Sequence, residues 1–554
     1  MMRHSRSARL VVLSVVFLSL TACTGVRTPP DGSVVTGSTE AESPSAGPGD
    51  PQPPGPLPAE DVDVTVSVDD NLKEVVDANP PGTTYLIEAG VHRGAQAEPK
   101  DGDTFIGEAG AVLSGATLLS DWQQKGGRWV IGGQTAEGPT HGKVLEGYEP
   151  DLHPEDLWVD DTLLRHWATP DVGKGEWHFD YANDQIWLGE DPGTRTVQLA
   201  ETPWAFSSEA ADVTIDNLII ERYASTSQHG AIGGGPRQGN MHRHLRWTVR
   251  HTDVRFNHGM GLRMGPGATV EYSWMHHNGE LGLGVSGRNI DGEQANDYGE
   301  PVTIRYNQFA RNGMLGFDPQ FQRGGLKIAH ATAGSVFEHN WSHDNHGPGV
   351  WFDIDNRDAV IRSNLVEDND EHGIMYEISF GDTLISSNVV RHNGGRGVFL
   401  STSQGVRVAN NLIVDNAGDD IQIRGAERGS SDEFGPYRSA DITVEDNIVA
   451  TQSGQVGYKV EGERSELLDP AAVDIRFIAN EYRVGHEQPF AWGLASGDDA
   501  PRLTFEQWQE LGMDRDGALG DYARAQDLPR AAEPFRPTHY GPLRPAAQPS
   551  AAAL

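Results

Sequence analysis

The sequence contains a single cysteine, Cys23, among its 554 residues. A disulfide within the chain and a zinc site made of several cysteines are therefore excluded. Basic residues are also scarce, since 43 of them stand against 80 acidic residues and give a formal net charge of −37 at pH 7. Because a surface this acidic repels phosphate backbones and anionic lipid headgroups, we expect no binding of nucleic acid and no membrane contact through the folded part of the chain.

Hydrophobic residues are sparse as well, at 37%, whereas the chain has 66 glycines and 33 prolines. Because glycine and proline both disfavour helices, this composition argues against a largely helical protein and favours an all-β chain with many tight turns. The length allows two or three ordinary domains or one long repetitive domain.

The N-terminus has the pattern of an export signal. Three arginines precede an apolar stretch at residues 10–20, which is too short to cross a bilayer. The stretch leads into Leu20-Thr21-Ala22-Cys23, which resembles the lipobox of a bacterial lipoprotein signal. The resemblance implies that residues 1–22 are removed and that lipid on Cys23 anchors the protein at the extracellular face of the cell membrane. The alternative is an ordinary secretory signal, which would leave the protein secreted.

An internal repeat occupies the middle of the chain. A first asparagine column comprises Asn307, Asn340, Asn364, Asn388 and Asn411, with a spacing of 24 residues from Asn340 to Asn364 and from Asn364 to Asn388. A second asparagine column follows, five residues after each of these. The members of that second column are Asn312, Asn345, Asn369, Asn393 and Asn416. Short alternating strands in a repeat of this length predict a parallel β-helix, in which each coil pairs its strands with those of the next coil. Asparagine suits the bends because it tolerates left-handed backbone, and its stacked amides can form ladders.

The repeat also resembles a known superfamily. The Gly324-Gly-Leu-Lys327 and Trp351-Phe-Asp-Ile-Asp-Asn356 segments, on coils with stacked asparagines, look like those of the pectate-lyase-like superfamily. The resemblance implies a right-handed, single-stranded parallel β-helix over most of residues 62–530. It leaves the function open, because the superfamily includes polysaccharide lyases, glycoside hydrolases, uronan epimerases and proteins with no known activity.

Composition and periodicity divide the chain into segments. The predicted segments after the signal are a disordered tether rich in Pro, Gly and Ser at 23–60, N-terminal coils at 61–120, a tryptophan-rich β insertion at 121–206, the repeat core at 207–483, a cap with a short helix at 484–530 and a disordered tail at 531–554. Longer spacings between the asparagines mark loops at Arg288–Glu300 and Ala426–Ser439, which we expect on the binding side. We expect the protein to be a monomer.

Alignment of successive coils predicts which side chains share a wall of the solenoid. One outward column comprises Lys327, Trp351, Met375 and Phe399, the next comprises Ala329, Asp353, Glu377, Ser401 and Arg424, and the third comprises Ala331, Asp355, Ser379 and Ser403. Three carboxylates and one lysine are thus predicted on one outer face, beside a ridge of exposed aromatic and thioether side chains.

The three carboxylates and the lysine are the predicted catalytic groups. Neighbouring coils lie about 4.8 Å apart, so Asp353 and Glu377 should be side by side, with Asp355 about 6.6 Å from Asp353 along the strand. Like charges this close require a retained proton, a bound cation or a basic partner. A glycoside hydrolase would use Asp353 and Glu377 as its acid/base or nucleophile pair. A uronan lyase would instead hold Ca²⁺ on the three carboxylates and use Lys327 as its base.

The predicted partner is a polysaccharide or a cell-envelope glycan. Trp351 and Phe399 are predicted to stack on sugar rings, and His372 with Arg396 to form a basic rim that orients the substrate. Hydrolysis is favoured over elimination because a strongly acidic chain is easier for a neutral glycan to approach than for a uronate. A noncatalytic glycan-binding protein is the alternative from another class.

Overall fold

The computed structural model describes residues 62–234, 244–287, 300–330, 332–426, 428–431, 434–462, 464, 467–495 and 500–522. The predicted signal, tether and C-terminal tail lie outside these residues, as do Ala331 and all but Glu300 of the loop at 288–300. Within the described ranges, no helix has the length and apolar character needed to cross a membrane.

The described strands form mainly three long sheets, which we call A, B and C. The strands of sheet A are Val64–Val66, Thr84–Ile87, Thr104–Gly107, Thr214–Asp216, Thr248–Arg250, Thr269–Glu271, Thr303–Arg305, Val336–Glu338, Val360–Arg362, Thr383–Ser386, Gln404–Ala409, Ala440–Glu445 and Ile475–Ile478. The strands of sheet B are Gly90–Arg93, Ala111–Ser114, Ile219–Glu221, Asp253–Arg255, Trp274–His276, Gln308–Ala310, Trp341–His343, Leu365–Glu367, Val389–Arg391, Leu412–Val414, Ile448–Thr451, Glu481–Val484 and Ala518–Asp521.

Sheet C forms the third wall of the solenoid. Its strands are Gly230–Ile232, Met260–Met264, Leu281–Ser286, Gly324–Ala329, Val350–Asp353, Ile374–Glu377, Val398–Ser401, Ile421–Gly425, Val456–Glu461, Phe490–Ala495 and Arg502–Leu503. A complete coil contributes one strand to each sheet and pairs in parallel with the coils on either side, as in the coil that follows Gly334. The chain is therefore a parallel β-helix, as predicted.

Stacked apolar columns fill the interior. On sheet A, Phe337, Ile361, Ile385 and Val408 follow one another in register and are fully buried. Burying such a side chain contributes about 1.5–3 kcal/mol, so each coil is stabilised by the coils above and below it.

Two ladders of asparagine side chains hold the corners of the solenoid. At the corner between sheets A and B, Asn340 donates its main-chain N–H and its side-chain amide to Asn364 Oδ1, at 2.9 and 3.2 Å. At the corner between sheets B and C, Asn345 makes the same two bonds to Asn369, at 3.2 and 2.8 Å. The preceding residue turns the chain with a left-handed backbone, as Ser363 does at φ 56°. The predicted ladders are therefore confirmed.

The tryptophan-rich insertion forms two small sheets that interrupt the solenoid. Their strands are Ala116–Leu119, Leu157–Val159, Thr162–Leu163 and Val197–Ala200 in one sheet, and Gln123–Lys125, Arg128–Gly132, Arg165–His166, Glu176–Asp180 and Gln185–Leu188 in the other. A 3₁₀ helix spans Glu149–Leu152. Because Ala116–Leu119 pairs with Val197–Ala200, the insertion begins before residue 121. Trp158 and Trp177 are buried, and Trp122 and Trp129 pack against the core of the insertion.

Short helices lie near both ends of the solenoid. Leu72–Ala78 follows the first strand, Pro470–Val473 precedes the last strand of sheet A, and Phe505–Glu510 covers the C-terminal end, where Trp508 stacks on Phe490 at 5.0 Å. The segment predicted as a cap also supplies strands to sheets B and C, so the solenoid continues to Asp521.

Buried ionisable groups join the insertion to the solenoid. Asp151 of the insertion accepts a hydrogen bond from the Gly316 N–H at 2.7 Å, and burial raises the pKa of Asp151 to about 6. Asp156, also of the insertion, lies 3.2 Å from His258 Nδ1. Burial lowers the pKa of His258, but Asp156 and further acids outweigh this and leave the pKa raised. These contacts hold the insertion against the part of the solenoid that precedes the strand of Lys327.

Glu280 lies beside this junction and supports a prediction about stability. Its carboxyl accepts hydrogen bonds from Ser227 Oγ and the Gln228 N–H, each at 2.7 Å, and burial raises its pKa from 4.5 to about 7. A raised folded-state pKa means that the folded chain holds this proton more tightly than the unfolded chain, so stability falls as pH rises from about 4.5 to 7. The shift corresponds to about 3 kcal/mol.

Replacing Glu280 by Gln should remove this pH dependence. The difference in unfolding free energy between Glu280→Gln and the wild type should shift by about 3 kcal/mol in favour of the variant as pH rises from 4.5 to 8. The reason is that the wild type loses stability when its buried carboxyl ionises, and the variant has no such carboxyl. Denaturant unfolding at a series of pH values measures this difference. The exposed Glu98→Gln serves as the control and should show a constant difference. A constant difference for Glu280→Gln as well would contradict the prediction.

Candidate active site

The outer face of sheet C brings most of the predicted site residues together. Lys327 lies opposite Trp351 in the parallel register, and Ala329 lies opposite Asp353. On the next pair of strands, Asp353 lies opposite Glu377. The predicted register of the first two outward columns is therefore confirmed, and the two carboxylates are direct neighbours.

Lys327 is held between two groups of the next coil. Its Nζ lies 2.9 Å from Asp353 Oδ2 and 3.5 Å from the centroid of the Trp351 ring. The same atom donates to the Phe321 carbonyl oxygen at 3.3 Å. The ammonium therefore supplies a fixed positive charge beside Asp353, in a largely buried position where such a pair is screened little by solvent.

Glu377 has different partners. Its Oε1 accepts hydrogen bonds from Arg428 Nη1 at 2.7 Å and from Ser401 Oγ at 3.2 Å. Burial is the largest influence and raises the pKa of Glu377, the Asp353 charge raises it further, and Arg428 opposes both. Neighbouring carboxyls in unlike environments can divide the roles of proton donor and ionised base between them.

Asp355 does not continue the outward alternation that the sequence predicted. The extended strand ends at Asp353, and Ile354 and Asp355 both take left-handed backbone, at φ 59° and 58°. As a result it is Asn356, one residue later, whose N–H bonds to Ser379 Oγ at 3.2 Å. The predicted third column, with Asp355 aligned to Ser379, is wrong because a period-2 pattern applies only while the chain stays extended. The Asp355 carboxylate instead accepts a hydrogen bond from the Tyr437 hydroxyl at 2.8 Å.

The predicted aromatic ridge is present but covered. Trp351, Met375 and Phe399 pack together as one apolar cluster, with exposed fractions of 5%, 8% and 3%. Lys327 lies over the face of Trp351, and the Arg396 guanidinium lies 4.5 Å from the centroid of Phe399. The expectation of exposed rings is therefore wrong, since cationic side chains occupy the faces on which a sugar would stack.

The indole nitrogen of Trp351 is a buried donor for which the described residues supply no acceptor. Buried polar groups in folded proteins nearly always have a partner.

His372 and Arg396 adjoin each other as predicted from their equivalent places in successive coils. The Arg396 main-chain N–H donates to His372 Nδ1 at 3.1 Å, and the Arg396 Nε donates to Gln422. Burial, with help from Arg396 and Arg424, lowers the pKa of His372 to about 3. His372 is therefore neutral at physiological pH, and the expectation that it belongs to a basic rim is wrong. Of the two residues predicted to form the rim, only Arg396 is therefore positively charged.

The sequence reasoning missed the two residues that approach the carboxylates from outside sheet C. Arg428 and Tyr437 belong to the predicted loop Ala426–Ser439, whose described part includes a small hairpin of Ser430–Ser431 and Gly435–Pro436. The long spacing between asparagines signalled that this loop exists. No period runs through it, so no pattern could indicate which of its side chains contact Glu377 and Asp355.

The carboxylates do not have the arrangement of a calcium site. Across the described part of the chain, no three His, Cys, Asp or Glu side chains converge as metal ligands. Asp353 is paired with Lys327, Glu377 with Arg428, and Asp355 with the Tyr437 hydroxyl. A cation would have to displace a lysine and an arginine, so the donor set does not fit Ca²⁺.

Comparison with known proteins agrees with the architecture. Residues 238–413 match the family described as right handed beta helix region. A solved complex of XylC with xylose shares 13% identity at a TM-score of 0.60, with 82% of this chain and 83% of that chain covered. The A-module of the Azotobacter vinelandii mannuronan C-5 epimerase AlgE4 shares 14% identity at a TM-score of 0.45, with 77% and 94% covered.

A mannuronic acid specific polysaccharide family 6 lyase from human gut microbiota shares 12% identity at a TM-score of 0.42, with 84% of this chain and 92% of that chain covered. No curated protein sequence matches the chain. The family match and the XylC likeness concern the fold, and they confirm the predicted right-handed parallel β-helix.

Proposed function

We propose that this protein is an extracellular carbohydrate-active enzyme that hydrolyses glycosidic bonds of a polysaccharide, held at the cell membrane by lipid on Cys23. The observation that carries the proposal is the pairing of Asp353 with Glu377 on adjacent coils, one beside a lysine and the other with a raised pKa. Two carboxyls in unlike environments are the groups that glycoside hydrolysis requires.

The spacing favours retention of configuration. The main chains of directly opposed residues lie about 4.8 Å apart, and the two side chains project from the same face of the sheet. We therefore expect the two carboxyls nearer to the separation of about 5–5.5 Å in retaining enzymes than to that of about 6.5–9.5 Å in inverting ones. Glu377 would protonate the glycosidic oxygen while the Asp353 carboxylate attacks the anomeric carbon. Water would then hydrolyse the glycosyl ester, with Glu377 as the base.

Elimination is supported less well by the same contacts. A lyase needs a base that can take a proton from the sugar ring. Lys327 already donates to Asp353 and to the Phe321 carbonyl, and the donor set does not fit calcium.

The loop residues Arg428 and Tyr437 contact Glu377 and Asp355, two of the three carboxylates. A sugar that binds at these two carboxylates would therefore replace the contacts of the loop with contacts of its own hydroxyl groups.

The test is incubation of the purified protein with a panel of neutral and uronate polysaccharides, with and without a chelator. Hydrolysis yields new reducing ends without unsaturated products, and chelator should not affect it. Ultraviolet-absorbing unsaturated uronates would show a lyase instead. Saturable binding without any product would show a glycan-binding protein.

Replacing Arg428 by Gln should shift the pH profile of hydrolysis. Arg428 lowers the pKa of Glu377, so its removal raises that pKa and keeps Glu377 protonated to higher pH. The basic limb of kcat/KM should therefore move to higher pH, because this limb reports loss of the proton from the general acid. Tyr437→Phe, in the same loop but bonded to Asp355, is the control and should leave the basic limb in place. A basic limb that stays at the same pH in Arg428→Gln would contradict the assignment of Glu377 as the general acid.

A further inference from the structure

A loop of the solenoid lies between the insertion and Lys327. We call it the support loop and define it as residues 313–323, which lead directly into the strand Gly324–Ala329 that carries Lys327. Phe321 of this loop provides the carbonyl oxygen to which Lys327 Nζ donates at 3.3 Å. The ammonium beside Asp353 is therefore held in part by the support loop.

The insertion pairs with the support loop in the manner of two strands, through an antiparallel bridge. The Leu145 N–H of the insertion donates to the Gly316 carbonyl oxygen at 2.8 Å. In the other direction, the Asp318 N–H of the loop donates to the Lys143 carbonyl oxygen at 3.0 Å. The backbone of the loop thus takes its position from the backbone of the insertion.

Gly316 is the closest point of this pairing. Its N–H donates to the buried carboxylate of Asp151 at 2.7 Å, so that both of its backbone polar groups bond to the insertion. A Cβ at position 316 would overlap the ring of Tyr148. The approach of the two segments therefore requires glycine at this position.

The contacts continue from Gly316 to the residue that holds Lys327. The Phe321 N–H donates to the Asp318 carbonyl oxygen at 3.0 Å, which links Phe321 to the paired part of the loop. Lys143 Nζ of the insertion also lies 5.0 Å from the centroid of the Phe321 ring. A displacement of the loop at Gly316 should therefore move the Phe321 carbonyl as well.

We propose that the insertion positions the Lys327 ammonium beside Asp353 by holding the support loop, with Gly316 and Asp151 as positioning residues of the catalytic centre. The proposal rests on the proposed function, because it concerns the placement of a charge beside the carboxylate that attacks the sugar. Lysine has a flexible four-carbon stem, so its ammonium keeps one position only where several contacts hold it. Loss of the Phe321 contact should therefore loosen the ion pair with Asp353.

Chemical acetylation of Lys327 tests the positioning without reference to activity. Gly316→Ala places a Cβ against Tyr148 and should displace the support loop. Lys327 of the purified variant should then react with N-hydroxysuccinimidyl acetate at least about 10-fold faster than in the wild type, because the buried ion pair opens more often. Asp151→Ala removes the acceptor of the Gly316 N–H without adding an atom and should accelerate the reaction by at least about 3-fold. Peptide mass spectrometry over time gives the rates.

Two controls separate this effect from a general loosening of the fold. Gly132→Ala adds a Cβ elsewhere in the insertion, where it would meet no atom, and should leave the rate at Lys327 unchanged. Lys459 is a buried lysine of sheet C that is ion-paired with Asp419 at 2.6 Å, and its rate should stay the same in every variant. Rates at Lys327 that do not change in Gly316→Ala and Asp151→Ala would overturn the proposal, as would an equal acceleration at Lys459.

The pH profile of hydrolysis provides a second readout. Lys327 and Arg428 both lower the pKa of Glu377, whereas Asp353 raises it. Displacement of Lys327 should therefore move the basic limb of kcat/KM to higher pH. Gly316→Ala should move this limb in the direction in which Lys327→Met moves it, and the double variant should move it no further than Lys327→Met, because the insertion acts through Lys327.

The two readouts distinguish failure of this proposal from failure of the proposed function. A basic limb that moves in Lys327→Met but stays in place in both Gly316→Ala and Asp151→Ala would overturn the positioning role while leaving hydrolysis intact. Faster acetylation of Lys327 in a protein that releases no product from any polysaccharide would support the positioning of Lys327 and overturn only the proposed function.

Discussion

Asp353→Asn should lower kcat/KM for glycosidic hydrolysis by about 10³-fold or more, since it removes the group that attacks the anomeric carbon. The amide has nearly the same shape, so the fold should persist, with the Lys327 ion pair as the only described contact weakened. Initial rates on the polysaccharide that the panel identifies measure the loss, and thermal unfolding checks the fold. Glu271→Gln on sheet A, another buried and ion-paired carboxylate, is the matched control and should keep full activity.

Glu377→Gln distinguishes the two roles. With the polysaccharide it should also lose about 10²–10⁴-fold in kcat/KM, the usual contribution of a general acid. An aryl glycoside of the same sugar has a leaving group that needs no protonation. With this substrate Glu377→Gln should retain most of the wild-type kcat/KM, whereas Asp353→Asn should remain inactive. Equal losses of the two variants on both substrates would contradict the division of roles.

The sequence was sufficient for everything that depends on the repeat. The asparagine period predicted the β-helix and the ladders, and it placed Asp353 opposite Glu377 although 24 residues separate them. The reason is physical, because parallel coils of equal length must pair like positions. The predictions that were wrong concern residues at which the regular repeat stops. Asp355 leaves the alternation because two left-handed residues end the strand, and this bend depends on backbone that no period encodes.

The other wrong predictions concern the exposure of the aromatic side chains and the charge of His372. Burial of Trp351 and Phe399, and the low pKa of His372, follow from neighbours on other coils and from Arg396, whose side-chain direction the sequence does not specify. Arg428 and Tyr437 come from an aperiodic loop. The site therefore combines a part that repetition fixes, namely the adjacent carboxylates, with a part that loops add.

The asparagine ladder permits a second large prediction, because the chain offers two adjacent asparagines in opposite settings. Asn411 is buried, and its amide donates to the Ile385 carbonyl and to Asn447 Oδ1, each at 2.9 Å. Its own Oδ1 accepts two hydrogen bonds from Asn388, both at 3.0 Å. Asn410, one residue earlier, is exposed and left-handed at φ 57°.

Asn411→Gly should therefore lower the free energy of unfolding by about 4 kcal/mol or more, since it leaves several buried donors and acceptors without partners, each costing about 1–3 kcal/mol. Asn410→Gly makes the same substitution where left-handed backbone suits glycine, and it should change stability by less than about 0.5 kcal/mol. Denaturant unfolding of both variants measures the contrast. Equal effects would mean that the ladder amides contribute no more than an exposed corner residue does, and that apolar stacking alone keeps successive coils in register.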